Sequence, residues 1–240
     1  MLSGDKNPHV RKRFAPPSKE LSNTAVAAAF HGSLDAAAFP PSTAWRAAKP
    51  VRFDSDWQGK NADVHRQTEV RLLWTPQFLY VKFVARYRCI TVFEDAEPGG
   101  RRDKLWDRDV AEVFLQPDPQ QSRRYQEFEV SPNGFWIDLE IVNGALQHIK
   151  SGLQRRVSID DPKKTWTAEL AIPLKSLTQT FDPTAVWRVN FFRVEGPTEP
   201  RFYSSWQSTN SSQPNFHVPD RFGYLKFKPM PSVKPRGKKL

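Results

Sequence analysis

Large apolar residues alternate with polar ones over most of the chain, and this period of two predicts β-strands. Turn signals such as Asn133-Gly134 and Asn143-Gly144 separate the alternating segments. One short helical turn is predicted at 173–177, and Thr24 to Phe30 fits either an entry strand or a turn of helix. The predicted strands lie at 69–74, 78–85, 110–115, 125–131, 136–142, 152–159, 165–172, 186–194, 202–206 and 222–227.

About ten strands with little helix are typical of an all-β protein, and the spacing of the turns predicts an antiparallel β-sandwich of jelly-roll type. A chain of 240 residues with 38% hydrophobic residues can bury one such core. We therefore expect an irregular basic arm at 1–22, a single β-sandwich domain at 23–228 and a basic C-terminal tail at 229–240. The expected oligomeric state is a monomer.

The formal charge of +10 is concentrated at the ends of the chain. Residues 1–19 contribute +4 and residues 226–240 contribute +6, which leaves the predicted sandwich formally neutral. Because nucleic-acid binding by a folded domain needs a basic face, this distribution argues against a specific nucleic-acid partner.

No apolar run reaches the roughly 18 to 20 residues of a transmembrane helix. The first residues also lack the apolar region of about 7 to 15 residues that a secretory signal needs, so the printed sequence predicts no signal peptide. The single cysteine, Cys89, excludes an internal disulfide and leaves the compartment open.

Acidic residues occupy two of the predicted strands. Period two places Glu112 on the side of Val110 and Phe114, and places Glu127 and Glu129 opposite Phe128 and Val130. If these two strands pair, the three carboxylates gather on one concave face. Such a face suits hydrogen bonding to sugar hydroxyls, and it also suits glycoside hydrolysis by two carboxylates.

Tryptophans supply the second requirement of a sugar site, because a pyranose has an apolar face that stacks on a flat ring. Trp106 precedes Glu112 by six residues, in a predicted loop. Trp206 lies in the polar segment YSSWQSTNSSQ, where a core role is less expected than a role in binding.

No cofactor is required by these patterns. Asp107 and Asp109 form a D-x-D pair beside a loop, and their oxygens are weak candidates for a structural calcium site. The five histidines are scattered, and no serine occupies a G-x-S-x-G turn.

Several segments, taken in order, resemble the family 9 carbohydrate-binding modules and their stand-alone bacterial relatives. These are LWDRDVAEVFLQP, YQEFEVSPNGFWID, WTAELAIPLKSL, VWRVNFFRVE and FHVPDRFGYLKF, and the resemblance as a whole spans roughly Thr68 to Phe227. The resemblance implies a β-sandwich that holds the end of a glucan or xylan chain between two tryptophans, and it implies a location outside the cytoplasm.

Carried onto this chain, the resemblance assigns the clamp to Trp106 and Trp206, and a hydroxyl-binding acid to Glu112. The remaining polar positions of the family's site correspond to Glu129, Ser131 and Tyr203. We expect a non-catalytic domain that binds a β-linked polysaccharide or oligosaccharide. Two alternatives stay open: a glycoside hydrolase that uses Glu112 with Glu127 or Glu129, and a domain for attachment to a protein or another surface.

Overall fold

A computed structural model of the protein describes residues 23–31, 39–97 and 99–230, and the regular secondary structure of these residues is almost entirely β-strand. The helical segments are one turn, α1 (Leu174–Leu177), and 3₁₀ turns at Ala44–Ala47, Val64–Arg66, Leu105–Asp107 and Pro219–Arg221. The strands are β1 (Thr24–Ala29), β2 (Val51–Phe53), β3 (Thr68–Trp74), β4 (Phe78–Arg86), β5 (Val110–Gln116), β6 (Arg124–Val130), β7 (Trp136–Val142), β8 (Ala145–His148), β9 (Gln154–Asp160), β10 (Thr165–Pro173), β11 (Trp187–Glu195), β12 (Phe202–Ser205) and β13 (Gly223–Phe227).

The predicted all-β class is confirmed, although the described residues form thirteen strands instead of about ten. The unpredicted strands include β2, with three residues, and β8, which is exposed along its whole length. A strand this short or this exposed shows no alternation of apolar and polar residues, so the sequence pattern does not reveal it.

The strands pair in the order β8-β7-β6-β5-β11-β13-β1-β3-β4-β10-β9, with β12 added to β11 and β2 added to β3. This sheet curls so that its two halves face each other as a sandwich. Phe83 of β4 meets Phe191 of β11 with ring centroids 6.2 Å apart, and the Arg193 guanidinium lies 5.8 Å from the Trp166 ring of β10.

Strand β1 joins the two halves, and it is parallel to both of its neighbours, β13 and β3. The sandwich is therefore not purely antiparallel as predicted. The pattern around Thr24 to Phe30 did not distinguish strand from helix, and the structure resolves it as a strand. Parallel pairing of this kind depends on partners far away in the sequence, which local alternation does not report.

The two halves enclose one large apolar core, and we call the face of each half that borders this core its inner face. The predicted face of β10, formed by Trp166, Ala168, Leu170 and Ile172, contributes to it. A second apolar cluster covers the outer face of β5, β6, β7 and β11, and includes Phe114, Phe192 and Phe216. A third cluster around Trp45 covers the outer face of β3, β4 and β10.

The predicted arm and most of the predicted tail lie outside the described residues, so the predicted domain limits stay predictions. Cys89 is half-buried, and burial raises the pKa of its thiol. In the part of the chain that the structure describes, none of the helices has the length and apolar character to cross a membrane.

Candidate functional site

A cavity of about 260 Å³ opens on the outer face of β5, β6 and β11. Glu112 of β5 and Glu127 of β6 line it, and Trp106 enters from the 3₁₀ turn that precedes β5. Arg201 and Tyr203 line it from β12 and the segment before it. The segment after β12 completes the wall with Pro214, Asn215, Phe216 and His217.

Three carboxylates meet beside this cavity, as the alternation predicted. Glu112 pairs with Glu129 across β5 and β6, and Glu127 lies two residues before Glu129, on the same face of β6. One carboxylate oxygen from each residue lies within 4.8 Å of the others. We call Glu112, Glu127 and Glu129 the carboxylate trio.

The carboxylate trio is buried, and its oxygens receive few hydrogen bonds from the other residues that the structure describes. The exposed fractions are 2% for Glu112, 3% for Glu127 and 0% for Glu129. Among the described residues, no group outside the trio donates a hydrogen bond to Glu112 Oε1, to Glu127 Oε2 or to either oxygen of Glu129. Burying carboxyl groups without such donors is costly, so this arrangement needs a reason beyond the stability of the fold.

Burial raises the pKa of all three carboxyl groups. Mutual repulsion raises the pKa values of Glu112 and Glu129 further. Neighbouring groups oppose this effect: Arg201 lowers the pKa of Glu112, and a hydrogen bond with Glu129, together with His217, lowers that of Glu127. The carboxyl groups on the floor of the cavity are therefore stabilised by a proton, by a cation or by a hydrogen-bond donor.

Arg201 ties two sides of the cavity together. Its Nη1 donates to the Trp106 carbonyl at 2.8 Å, and its Nη2 donates to Tyr203 Oη at 2.7 Å. Glu199 accepts from both Arg201 Nε (2.8 Å) and Tyr203 Oη (2.6 Å). These hydrogen bonds, that from Tyr203 first, lower the pKa of Glu199 to about 2. Trp106 and Tyr203 are thus held by one ionic network.

His217 lies between the carboxylate trio and the aromatic wall. Its Nδ1 is 2.8 Å from Tyr125 Oη and 4.0 Å from Glu127 Oε2, and its ring centroid is 5.3 Å from that of Phe114. The sequence pattern did not single out His217, Arg201 or Phe216. They lie in or beside irregular segments that have no period, and only the position of His217 and Phe216 within FHVPDRFGYLKF could have drawn attention to them.

The structure places Trp206 in the inner core instead of the cavity. Its side chain is 4% exposed, its backbone N–H donates to the Phe191 carbonyl, and its ring centroid lies 5.5 Å from that of Phe191. The ring also packs against Gly223, where an added Cβ would come within 2.7 Å of Trp206 Cζ3. The polar segment around Trp206 misled the prediction, because the glycine that makes room for the ring lies on β13.

Ser131, also a predicted site residue, closes the turn between β6 and β7. Its N–H donates to the Phe135 carbonyl at 2.9 Å, and its hydroxyl donates to Asn133 Oδ1. Ser131 is 0% exposed and is absent from the lining of the cavity. Its contacts explain why a polar residue is buried at this position.

The D-x-D pair separates in the structure. Asp109 is buried, and its two oxygens accept from the backbone N–H groups of Gly196 (2.9 Å) and Thr91 (3.2 Å). Asp107 is exposed at the 3₁₀ turn. A calcium site on this pair stays a prediction.

Comparison with known proteins gives the family. The model of the "carbohydrate family 9 binding domain-like" proteins matches residues 40–229. This chain belongs to that family. Membership accounts for the order of the five sequence segments noted above and confirms the resemblance.

Among family 9 structures, two modules from Caldicellulosiruptor kristjanssonii were solved with cellotriose and with glucose. Their TM-scores against this chain are 0.59 and 0.60, at 14% and 13% identity, and they cover 87% and 88% of this chain and 95% and 99% of their own. A solved carbohydrate-binding candidate from Bacteroides uniformis has a TM-score of 0.67 at 16% identity, over 85% of this chain and 99% of its own. At these identities the similarity establishes the fold.

One curated relative of this family 9 chain is described as an extracellular protein of Arthroderma benhamiae. It is 25% identical over 178 residues, which cover 67% of this chain and 78% of the relative.

Proposed function

We propose that the protein binds carbohydrate without cleaving it, in the cavity lined by Trp106, Glu112, Arg201 and Tyr203. The observation that carries this proposal is the convergence of an aromatic ring, buried carboxylates and a guanidinium in one cavity on the outer face. The membership of the chain in a carbohydrate-binding family supports it.

Each lining group has a role that sugar chemistry requires. The Trp106 ring offers a flat apolar surface to the CH face of a pyranose. Glu112 Oε1 accepts no hydrogen bond from any residue that the structure describes, so it can accept one from a sugar hydroxyl. Arg201 forms a salt bridge with Glu199, which orients its guanidinium to donate hydrogen bonds to the oxygens of sugar hydroxyls.

We assign the second aromatic surface to Tyr203 in place of the predicted Trp206. Tyr203 lines the cavity and is half-buried, whereas Trp206 is 4% exposed in the inner core. Glu129 lies behind Glu112 and Glu127, and we assign it to the support of the site.

The proposed ligand is the end of a β-linked glucan or xylan, or a short oligosaccharide of that type. A cavity of about 260 Å³ is at the lower limit of ligand sites, and this favours one or two sugar units over the middle of a long chain. The cellotriose and glucose complexes of the Caldicellulosiruptor modules support the same ligand class. We expect a Kd of about 10⁻³ to 10⁻⁶ M.

Isothermal titration with glucose, cellobiose, cellotriose and xylobiose tests the proposal. We expect Trp106→Ala to lose binding by roughly a hundredfold or more. Tyr224→Ala is the matched control, because Tyr224 is an exposed ring on β13 that is outside the cavity lining. Wild-type affinity in the Trp106→Ala variant would reject the assigned site, and no binding to any glycan would favour the attachment domain.

A glycoside hydrolase is the second candidate, and the spacing of the carboxylate trio is the observation that favours it. Retaining glycosidases place two carboxyl groups about 5 to 5.5 Å apart. However, such an enzyme also needs one carboxylate held in the ionised form, and the pKa values of all three are raised by burial. Release of reducing sugar that disappears in Glu112→Gln would support the hydrolase.

A further inference from the structure

The carboxylate trio has more acceptor oxygens than the surrounding described side chains have donors for. Glu129 is 0% exposed, and among the described residues no group outside the trio donates to either of its oxygens. The hydrogen bonds of Arg201 go to Trp106, Glu199 and Tyr203 and not to the trio. His217 Nδ1 is 4.0 Å from Glu127 Oε2, beyond hydrogen-bonding distance.

We propose that Glu112, Glu127 and Glu129 bind a divalent cation with a preference for oxygen ligands, and that this cation is Ca²⁺. The three side chains offer carboxylate oxygens only, which are the ligands of a hard cation. An aspartate pair on the surface would offer the same atoms, but here the ligands are buried and gathered, and no described residue outside the trio donates to Glu112 Oε1 or to Glu129.

The distances between the carboxylate oxygens fit the size of Ca²⁺. Since Ca²⁺–oxygen bonds are about 2.3 to 2.6 Å long, oxygens on opposite sides of the ion lie up to about 5 Å apart. The trio oxygens lie within 4.8 Å of one another, so all three can reach one ion. Mg²⁺ needs bonds of about 2.0 to 2.1 Å and usually keeps several waters, which suits a buried carboxylate cluster less well.

The cavity gives the ion a way in. Glu112 and Glu127 line the cavity, whereas Glu129 lies behind them, so an ion that all three bind occupies the cavity floor. Because Ca²⁺ takes about 6 to 8 oxygen ligands, positions toward the cavity are left for water or for sugar hydroxyls. Coordination of a hydroxyl rests on the proposed function, whereas the ion site itself does not.

Calcium titration in the absence of sugar tests the ion site. The full chain is freed of metal with a chelator, and then CaCl₂, MgCl₂ or MnCl₂ is added while the heat of binding and the melting temperature are recorded. We expect Ca²⁺ to bind with a Kd of about 10⁻⁵ to 10⁻³ M and to raise the melting temperature, because it binds only the folded state.

Glu129→Gln is the informative variant, since it removes one charge without opening a cavity. We expect its affinity for Ca²⁺ to fall at least roughly tenfold, while its metal-free melting temperature is equal to or above that of the wild type. Glu127→Gln should weaken Ca²⁺ binding in the same way, and it replaces Glu129→Gln if that variant fails to fold. Asp160→Asn, at an exposed carboxylate, is the control and should bind Ca²⁺ like the wild type.

Two results would overturn the proposal: no effect of any of the three cations at about 10 mM, or unchanged Ca²⁺ affinity in both glutamine variants. Loss of Ca²⁺ binding in Asp107→Asn alone would place the ion at the D-x-D pair and overturn it as well. Sugar titrations with chelator and with CaCl₂ separate the two proposals. Ca²⁺ binding without sugar binding rejects only the carbohydrate function, and sugar binding without Ca²⁺ binding rejects only the ion site.

Discussion

Strands β5, β6 and β11 bury glutamates on both faces of the sheet, and the hydrogen bonds that these glutamates receive differ between the two faces. On the inner face, Glu195 is 0% exposed and accepts 2.8 Å hydrogen bonds from Arg193 Nη2 and from the Arg88 backbone. Arg66 Nε lies 3.4 Å from Glu195 Oε1, the oxygen that also accepts from Arg88. On the outer face, Glu129 is equally buried, and among the described residues no guanidinium or backbone N–H donates to it.

This difference separates a structural charge from one that is available to a ligand. A carboxylate loses its favourable hydration when it is buried, and a guanidinium and backbone N–H groups compensate for much of that loss in free energy. A buried carboxylate without such donors is not compensated, so it does not stabilise the fold. The comparison therefore singles out the carboxylate trio more sharply than its position on a strand does.

The largest expected effect comes from breaking the inner pair. Arg193→Met removes the guanidinium that bonds to Glu195 and to the Arg86 carbonyl and leaves a buried carboxylate without its main partner. We expect the free energy of unfolding to fall by about 3 to 5 kcal/mol. Urea unfolding measures it, and a loss of less than about 1 kcal/mol would mean that the inner pair is no better compensated than the trio.

Gly223→Ala tests the packing of the inner face. An added Cβ would lie 2.7 Å from both the Asn23 carbonyl oxygen and Trp206 Cζ3, so β13 or the tryptophan must shift. We expect a loss of about 2 kcal/mol in the free energy of unfolding, with a change in the fluorescence of Trp206. Sugar affinity should be retained, because Gly223 and Trp206 are outside the cavity lining. If the folded variant lost sugar binding, this result would show that Trp206 contributes to the sugar site.

Asp109 is intermediate between the two kinds of buried carboxylate, since two backbone amides bind it but burial still raises its pKa to about 6. A pKa above the unfolded value of 3.8 means that the folded state takes up the proton first. The stability contributed by this proton is therefore present below about pH 4 and is lost as pH rises through about 6.

Wild type and Asp109→Asn should accordingly differ in the slope of unfolding free energy against pH. As pH rises from about 4 to about 7, we expect the free energy of unfolding of the wild type to fall by on the order of 1 to 2 kcal/mol more than that of the variant. Urea unfolding at several pH values gives both slopes. Because the trio also titrates in both proteins, only the difference between the slopes reports Asp109, and equal slopes would contradict the prediction.

The smallest expected effect has the opposite sign to the first. Glu129→Gln removes a buried carboxyl group whose ionisation burial and its acidic neighbours oppose, so we expect the metal-free protein to gain about 1 kcal/mol at neutral pH. Urea unfolding of wild type and variant in the presence of chelator checks this. A large loss of stability would show that Glu129 has compensating partners like those of Glu195, and would remove the contrast between the faces.

Alternation was enough to predict most of the fold and half of the site. It placed Glu112, Glu127 and Glu129 on one face because side chains on a strand obey period two whatever the partner. It also predicted strands close to the observed limits of β5, Val110–Gln116. Neither result required knowledge of distant contacts.

The rest of the site depends on contacts between distant residues. Arg201 reaches the carbonyl of Trp106 across 95 positions, and Tyr125 meets His217 across 92. Trp206 was assigned to the site because its neighbours in the chain are polar, but its surroundings in space are Phe191 and Gly223. Irregular segments have no period, so their side chains could not be assigned to a face in advance.

Because β1 lies between β13 and β3, the sheet can be completed during synthesis only after β13 has been made. The first described strand to leave the ribosome has as one of its two partners the last one, β13. Until Gly223–Phe227 has emerged, the β1 edge is unpaired and the two halves of the sandwich are not joined through it. A ribosome-bound chain that stops before β13 should therefore expose a strand edge to chaperones or to other nascent chains.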